Sequence, residues 1–244
     1  MEDTVFIVSS CVKNKEHYRQ LMRCLSSIRL FFECDVIVIN DTTEELILQE
    51  PRIKVVNTLN LGSGDQQPFK FFLESEYIKA VFLQDSMIIN KKFDIDNVAI
   101  KFLWYFTNHV TDWDKIIEED TLITHTELIK SRLYRDYNTN IDFLKFAVSC
   151  LENKEKWVGC FGNCCVLTRE ALTKLNAVVP FIDKMITYNT NRLRRVNESI
   201  FSLICHFVYP IDFKNSVDGW YNNTGMDETW CHIGEFVSKV SFNR

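Results

Sequence analysis

Ala80-Val81-Phe82-Leu83-Gln84-Asp85-Ser86-Met87-Ile88-Ile89 is an apolar run that breaks at three polar residues and then resumes. A short continuous apolar run is the pattern of a strand buried on both faces. The polar break falls where such a strand would end. Open α/β sheets bind ligands at the carboxyl ends of their strands, so Asp85 is the first candidate for chemistry. The plain alternative is that Asp85 and Ser86 only begin a turn.

Upstream of this stretch, strands and helices alternate. Thr4 to Ser10 reads as a buried strand. Tyr18, Leu21, Met22, Leu25, Ile28 and Phe32 recur at three and four, which marks one face of a helix. Asp35 to Asn40 is a second buried strand, which completes a βαβ unit. A short helix over Thr43 to Gln49, stopped by Pro51, and a strand over Ile53 to Val56 come next. Leu61 to Pro68 carries loop signals, with Pro68 suited to the first turn of a helix over Phe69 to Glu76. This alternation predicts an α/β fold with a mostly parallel sheet flanked by helices.

Downstream the pattern is less regular. Val98 to Phe106 is apolar and aromatic, and Thr111 to Asp120 is polar and acidic, a loop or a helix start. Ile141 to Leu151 looks helical. Trp157 to Thr168 looks like strand broken by Gly159 and Gly162, and a short helix spans Arg169 to Leu175. Asn191 to Phe207 is an amphipathic helix with Leu193, Val196, Ile200, Leu203, Ile204 and Phe207 on one face. The tail after Pro210 has no strong periodicity. No repeat or linker divides the 244 residues, so one domain is expected, with halves at about 1–95 and 96–244.

Composition excludes several classes of function. The chain is 46% hydrophobic and 25% charged, as ordinary globular domains are. A net charge of -5 gives no electrostatic case for nucleic acid or an anionic membrane. No apolar run approaches the ~20 residues of a membrane span. The acidic start Met1-Glu2-Asp3-Thr4 does not read as a signal peptide. With nine cysteines, an odd number, and no paired metal-knuckle spacing, reduced buried thiols are expected, and so is a cytoplasmic setting. Neither a Ser-His-Asp nor a Cys-His pattern supports hydrolase chemistry.

The order of these pieces resembles the GT-A class of glycosyltransferases. There a Rossmann-like half holds a nucleotide, and a buried strand ends in Asp-x-Asp. Phe82-Leu83-Gln84-Asp85-Ser86-Met87 stands at that place. Gly162-Asn163-Cys164-Cys165-Val166-Leu167-Thr168-Arg169-Glu170-Ala171-Leu172 resembles the glycine-bearing strand and Arg-x-Ala-Leu helix start that many members carry next. Asn197-Glu198-Ser199 falls where their Glu-Asp pair opens a helix. The combination of Gly64-Asp65-Gln66-Gln67-Pro68, Gln84-Asp85-Ser86 and Gly159-Cys160-Phe161-Gly162 also resembles a divergent branch found in large DNA viruses, which would place the protein in a host cytoplasm. The resemblance covers about residues 4–210. It implies transfer of a sugar from a nucleoside diphosphate sugar to a hydroxyl of a glycan, protein or small-molecule acceptor.

In the motif's register Gln84 and Ser86 replace the two flanking aspartates, leaving Asp85. Mn²⁺ or Mg²⁺ would then rest on one carboxylate, an amide oxygen and a hydroxyl, or these three would hold ribose or phosphate without a metal. The resemblance adds His232 as a tail ligand and Asp41 as a nucleotide contact. An ordinary structural histidine and a turn aspartate are their alternatives. Ser9 could line the base pocket, and Gln66 and Lys70 could reach a phosphate or ribose beside Gly62 and Gly64. Arg192, Arg194 and Arg195 are either diphosphate contacts or a solvated face. Glu198, placed opposite the helix's apolar face, is the candidate general base, which implies inversion; its alternative is a surface pair with Arg194 at i−4. Two other functions stay open. One is an inactive GT-A-like binding or scaffold module. The other is a sugar nucleotidyltransferase, against which the loop Ser9 to Lys15 has no glycine.

Overall fold

The computed structural model describes residues 3–58, 66–107, 124–153, 156–185, 191–221 and 230–241. In chain order, β1 (Thr4–Ser10) leads to α1 (Lys15–Phe31), β2 (Asp35–Asn40) and β3 (Ile53–Asn57). Then come α2 (Gln66–Glu74), β4 (Lys79–Gln84), β5 (Met87–Ile89), β6 (Ile100–Phe102) and β7 (Tyr105–Phe106). The second half holds α3 (His125–Asp136), α4 (Ile141–Glu152), β8 (Gly159–Cys160), β9 (Cys165–Thr168) and α5 (Arg169–Val178). It closes with α6 (Asn191–Val208), β10 (Trp230–Ile233) and β11 (Val237–Ser241).

Six strands form one sheet in the order β3-β2-β1-β4-β9-β6. The pairings β1–β2, β1–β4 and β2–β3 are parallel. Strand β9 runs antiparallel to both β4 and β6, so it alone is reversed. The mostly parallel sheet read from the sequence is therefore present, with one reversed strand inserted beside β4.

Alternation along the central strands divides the core in two. On one face Val5, Ile7, Ile37, Ile39, Ala80 and Phe82 pack with α2 and with the buried faces of α3 to α6. On the other face Phe6, Val8, Val36, Val38, Val81 and Leu83 pack with Leu21, Cys24, Leu25 and Ile28 of α1, and with Met87, Ile89 and Val237. A strand buried on both faces has no polar side, which is why β1, β2 and β4 read as unbroken apolar runs. Asn14 starts α1 by accepting the amide of His17 at 2.9 Å. Arg169 ties the start of α5 to the end of α2, donating from Nη1 to Leu73 O at 3.1 Å and from Nε to Tyr77 O at 2.9 Å. Strands β5, β11 and β10 make a second, antiparallel sheet.

Two expectations need correction. No helix forms over Thr43 to Gln49. Side chains take its backbone groups instead: Asn40 Nδ2 donates to Glu44 O, and Asn57 both accepts from Leu46 N and donates to Leu46 O. Asparagines on neighbouring strand ends thus compete with the helix for its own hydrogen bonds. Helix α2 starts one turn before Phe69, at Gln66, with Pro68 in its first turn. The tail, without strong periodicity in sequence, holds β10 and β11 as a hairpin in which Asp218 accepts from Phe236 N and Val237 N. The loop glycines Gly62 and Gly64 and the acidic stretch Thr111 to Asp120 lie outside the described residues.

Candidate functional site

The chain leaves β1 for β2 and β3 on one side and returns to β4 on the other. That reversal makes a topological switch point between β1 and β4, the position at which open α/β sheets bind ligands. Ser9 pairs with Gln84 across it. Asp41 follows β2 at the same end, its amide donating to Ser10 O and its carboxylate accepting from Thr58 Oγ1 at 2.9 Å.

Asp85 is 1% exposed, and its oxygens are engaged within the protein. One accepts from Ser10 Oγ at 3.0 Å and Cys11 N at 3.3 Å, the other from Gln20 Nε2 at 3.1 Å. The carboxylate therefore fastens the end of β1 and the first turns of α1 to the end of β4.

Gln84 and Ser86 face a different group. Lys239 Nζ, from β11, donates to Gln84 Oε1 at 2.5 Å and to Ser86 Oγ at 3.0 Å. The same ammonium lies 5.2 Å from the centre of the Phe161 ring. Gln84 Nε2 donates onward to Gly162 O at 3.3 Å. Gly162 has φ +63°, which favours glycine, and a Cβ there would lie 2.5 Å from Gln84 Nε2 and displace that amide. Next to it Asn163 is 4% exposed, and neither side-chain amide atom has a hydrogen-bond partner among the described residues. Such a group is uncommon in a folded protein.

Helix α6 brings Glu198 to this turn. The sequence placed Glu198 opposite an apolar face, toward solvent or a cleft, but residues 196–205 are buried all round. Glu198 is 4% exposed, with Arg194 Nε 3.3 Å from Oε1. Burial pushes its carboxyl above the ordinary value of 4.5, while Arg194, the amide of Gly162, Arg195 and Lys239 pull the other way. The pair with Arg194 is therefore real but is not a surface pair. Its neighbour on the helix, Ser202, donates to Glu198 O at 2.6 Å and accepts from Cys160 N at 2.6 Å, which locks α6 to β8.

The remaining candidates are less central. Gln66 and Lys70 open α2 but turn to another partner: Gln66 Nε2 donates to Ile182 O at 2.7 Å, and Lys70 pairs with Asp183 at 2.9 Å. His232 packs against Trp104 and Tyr221, with ring centroids 5.5 Å and 4.7 Å away. Among the described residues no group of three His, Cys, Asp or Glu side chains is arranged to hold a metal ion. Sequence reasoning missed Gln20, Asn163 and Lys239. For Lys239 the only local signal is Gly234 ahead of a short run with Val237 and Val240.

The chain matches no protein-family model and no curated protein. No helix among the described residues is long and apolar enough to cross a membrane.

Proposed function

We propose that the protein is a GT-A-like glycosyltransferase that moves a sugar from a nucleoside diphosphate sugar to an acceptor hydroxyl. The observation that carries this reading is Glu198, a buried carboxyl with a raised pKa beside the switch-point end of β4. A buried carboxyl with charge partners at such an end is a candidate for acid–base chemistry. The side-chain amide of Asn163, next to Gly162, has no partner among the described residues and adds a polar group that a ligand could use. The strand reversal between β1 and β4 supports a nucleotide at the end of the sheet where Ser9, Ser10 and Asp41 stand.

In this reading the acceptor oxygen attacks the anomeric carbon. The bond from that carbon to the β-phosphate oxygen breaks, and its electron pair leaves with the nucleoside diphosphate. The acceptor proton passes to Glu198, and a single displacement inverts the anomeric centre. Arg194 keeps Glu198 ionised enough to act as a base while burial keeps it basic.

The test is turnover of a panel of nucleoside diphosphate sugars by the full chain and by Glu198→Gln. A general base contributes roughly 10²–10⁴-fold, so the variant should lose that much in kcat with donor binding retained. Full activity in Glu198→Gln removes Glu198 from the reaction. One observation favours a second reading, a binding module without turnover: Asp85 serves as an internal fastener. Binding of a nucleotide sugar by the wild type with no turnover would select that reading.

A further inference from the structure

We infer that Gln84 is a positioning residue for the base, holding the turn at Gly162 so that the Gly162 amide meets the Glu198 carboxyl. The inference rests on the transferase reading above. It goes beyond that reading by giving the first position of the motif a part in proton removal rather than in donor binding.

Gln84 is 5% exposed, and its side chain is bonded at both ends. Its Oε1 accepts from Lys239 Nζ at 2.5 Å, and its Nε2 donates to Gly162 O at 3.3 Å. An ammonium only donates and a carbonyl only accepts, so the two ends of the amide cannot be exchanged. Gly162 in turn bonds the Glu198 carboxyl through its own amide. The last residue of β4 is thus tied through one turn to the base on α6.

That turn is one the backbone does not favour by itself. Cys164 N closes it by donating to Phe161 O at 3.1 Å, and the two residues inside it, Gly162 and Asn163, have φ of +63° and +55°. A left-handed asparagine costs more than an extended one, and such backbone persists where neighbours fix it. Gly162 O also accepts from Cys164 Sγ at 3.3 Å, but a thiol is a weak donor. The stronger donor is the Gln84 amide, which can approach because residue 162 has no Cβ.

These contacts account for glutamine where the Asp-x-Asp pattern has an acid. A carboxylate at 84 would accept from Lys239 but set an oxygen against Gly162 O. A neutral amide of this length accepts from the one and donates to the other. In the proposed reaction Glu198 must aim a lone pair at the proton of the acceptor hydroxyl. A displacement of about 1 Å in such a group can cost roughly 10²-fold. The Gly162 amide also favours the ionised carboxyl, together with Arg194 and Arg195 on α6 and Lys239 on β11. Cys164 faces Glu198 too and is held as a neutral thiol by burial. Freeing the turn therefore misplaces the base and withdraws one of the influences that keep it ionised.

The experiment measures kcat, KM and the pH dependence of kcat with a nucleoside diphosphate sugar that the full chain turns over. Gln84→Met and Gln84→Glu are each made in the wild type and in Glu198→Gln. Circular dichroism checks that each variant is folded, and if one is not, the other decides. Gln84→Met makes neither bond and leaves Lys239 on Ser86. Gln84→Glu keeps an acceptor for Lys239 and, ionised beside that ammonium, has no proton to donate to Gly162 O. Both should lose roughly tenfold to a hundredfold in kcat, with the donor and acceptor KM within about threefold of wild type. The acid limb of kcat should move to higher pH in Gln84→Met. Added to Glu198→Gln, either substitution should cost less than about threefold, because its effect passes through a carboxyl already removed. Equal fractional losses in the two backgrounds overturn this inference and leave the transferase reading standing. So do an unmoved acid limb, a change confined to KM, or wild-type kcat in Gln84→Glu. Absence of turnover by the wild type with every donor overturns both.

Discussion

Glu198 holds its carboxyl in a fully packed stretch of helix, with Arg194 at one oxygen and the amide of Gly162 donating to it. Burial is the largest influence on this group and raises its pKa above 4.5. The native state then holds the proton more tightly than the unfolded chain does. Glu198 therefore contributes stability that is fully present below about pH 4.5, the unfolded value, and is lost as pH rises through the raised folded value. The difference in unfolding free energy between wild type and Glu198→Gln should fall as pH rises across that window. Urea unfolding at a series of pH values measures it, and a flat or rising difference contradicts the assignment. The glutamate was legible as a candidate because it stands on a helix with clear periodicity. Its burial was not legible, because Asn197, Glu198, Ser199 and Ser202 look like a solvated face in sequence yet are all buried. Asp85 shows the opposite. Its position at a strand end was plain, but donors from Ser10, Cys11 and Gln20 decide its role, and Gln20 is 65 residues away in the chain.

Among the elements, those read correctly have dense local signals. Strands β1, β2 and β4 are continuous apolar runs because both faces are covered, and α1 and α6 carry long periodic faces. Helix α3 was missed although Thr124 and Glu127 form a capping box, because few apolar residues follow to announce it. The β10–β11 hairpin was missed for a different reason. Its register depends on a carboxylate from a distant segment: Asp218 accepts from Phe236 N at 2.9 Å and Val237 N at 2.5 Å. That carboxyl is half-buried, so the bonds are shielded from solvent. A hydrogen bond to a charged group contributes about 1.5–3 kcal/mol. Asp218→Ala should therefore raise amide exchange at Phe236 and Val237 by roughly tenfold or more, since ~1.4 kcal/mol is a factor of ten. Exchange followed by mass spectrometry over 230–241 tests this, with β1 and β4 as unchanged controls. Unaltered protection in the hairpin would show that Asp218 does not hold the turn. The same element carries Lys239, so the hairpin is the route by which a segment without sequence periodicity reaches the end of β4.

On the scale of the molecule, one sheet separates two apolar layers, and the buried cysteines are divided between them. Cys150, Cys160, Cys165 and Cys205 belong to the layer under α3 to α6, and Cys24, Cys34 and Cys164 to the layer under α1 and the small sheet. These seven thiols are buried, as the sequence predicts, and Cys11 is partly exposed. Burial pushes Cys34 and Cys150 up to about 11 and raises Cys24, Cys160, Cys164 and Cys205 well above their usual value. Thiols held protonated and out of water react only when the structure opens. What the sequence could not convey is how tightly the layers are coupled, because that depends on β9 being inserted in reverse between β4 and β6. Adjacent residues of the same strands feed opposite layers, Val5 and Ile7 one and Phe6 and Val8 the other. Losing one layer would expose half of every central strand, so both layers should open in one transition. In a Cys231→Ser background, where only the described thiols report, one thiol should react quickly in the native state. The other seven should react together across the urea transition, at the midpoint given by circular dichroism. A step of four thiols separated from a step of three would mean that the two faces of the sheet unfold independently.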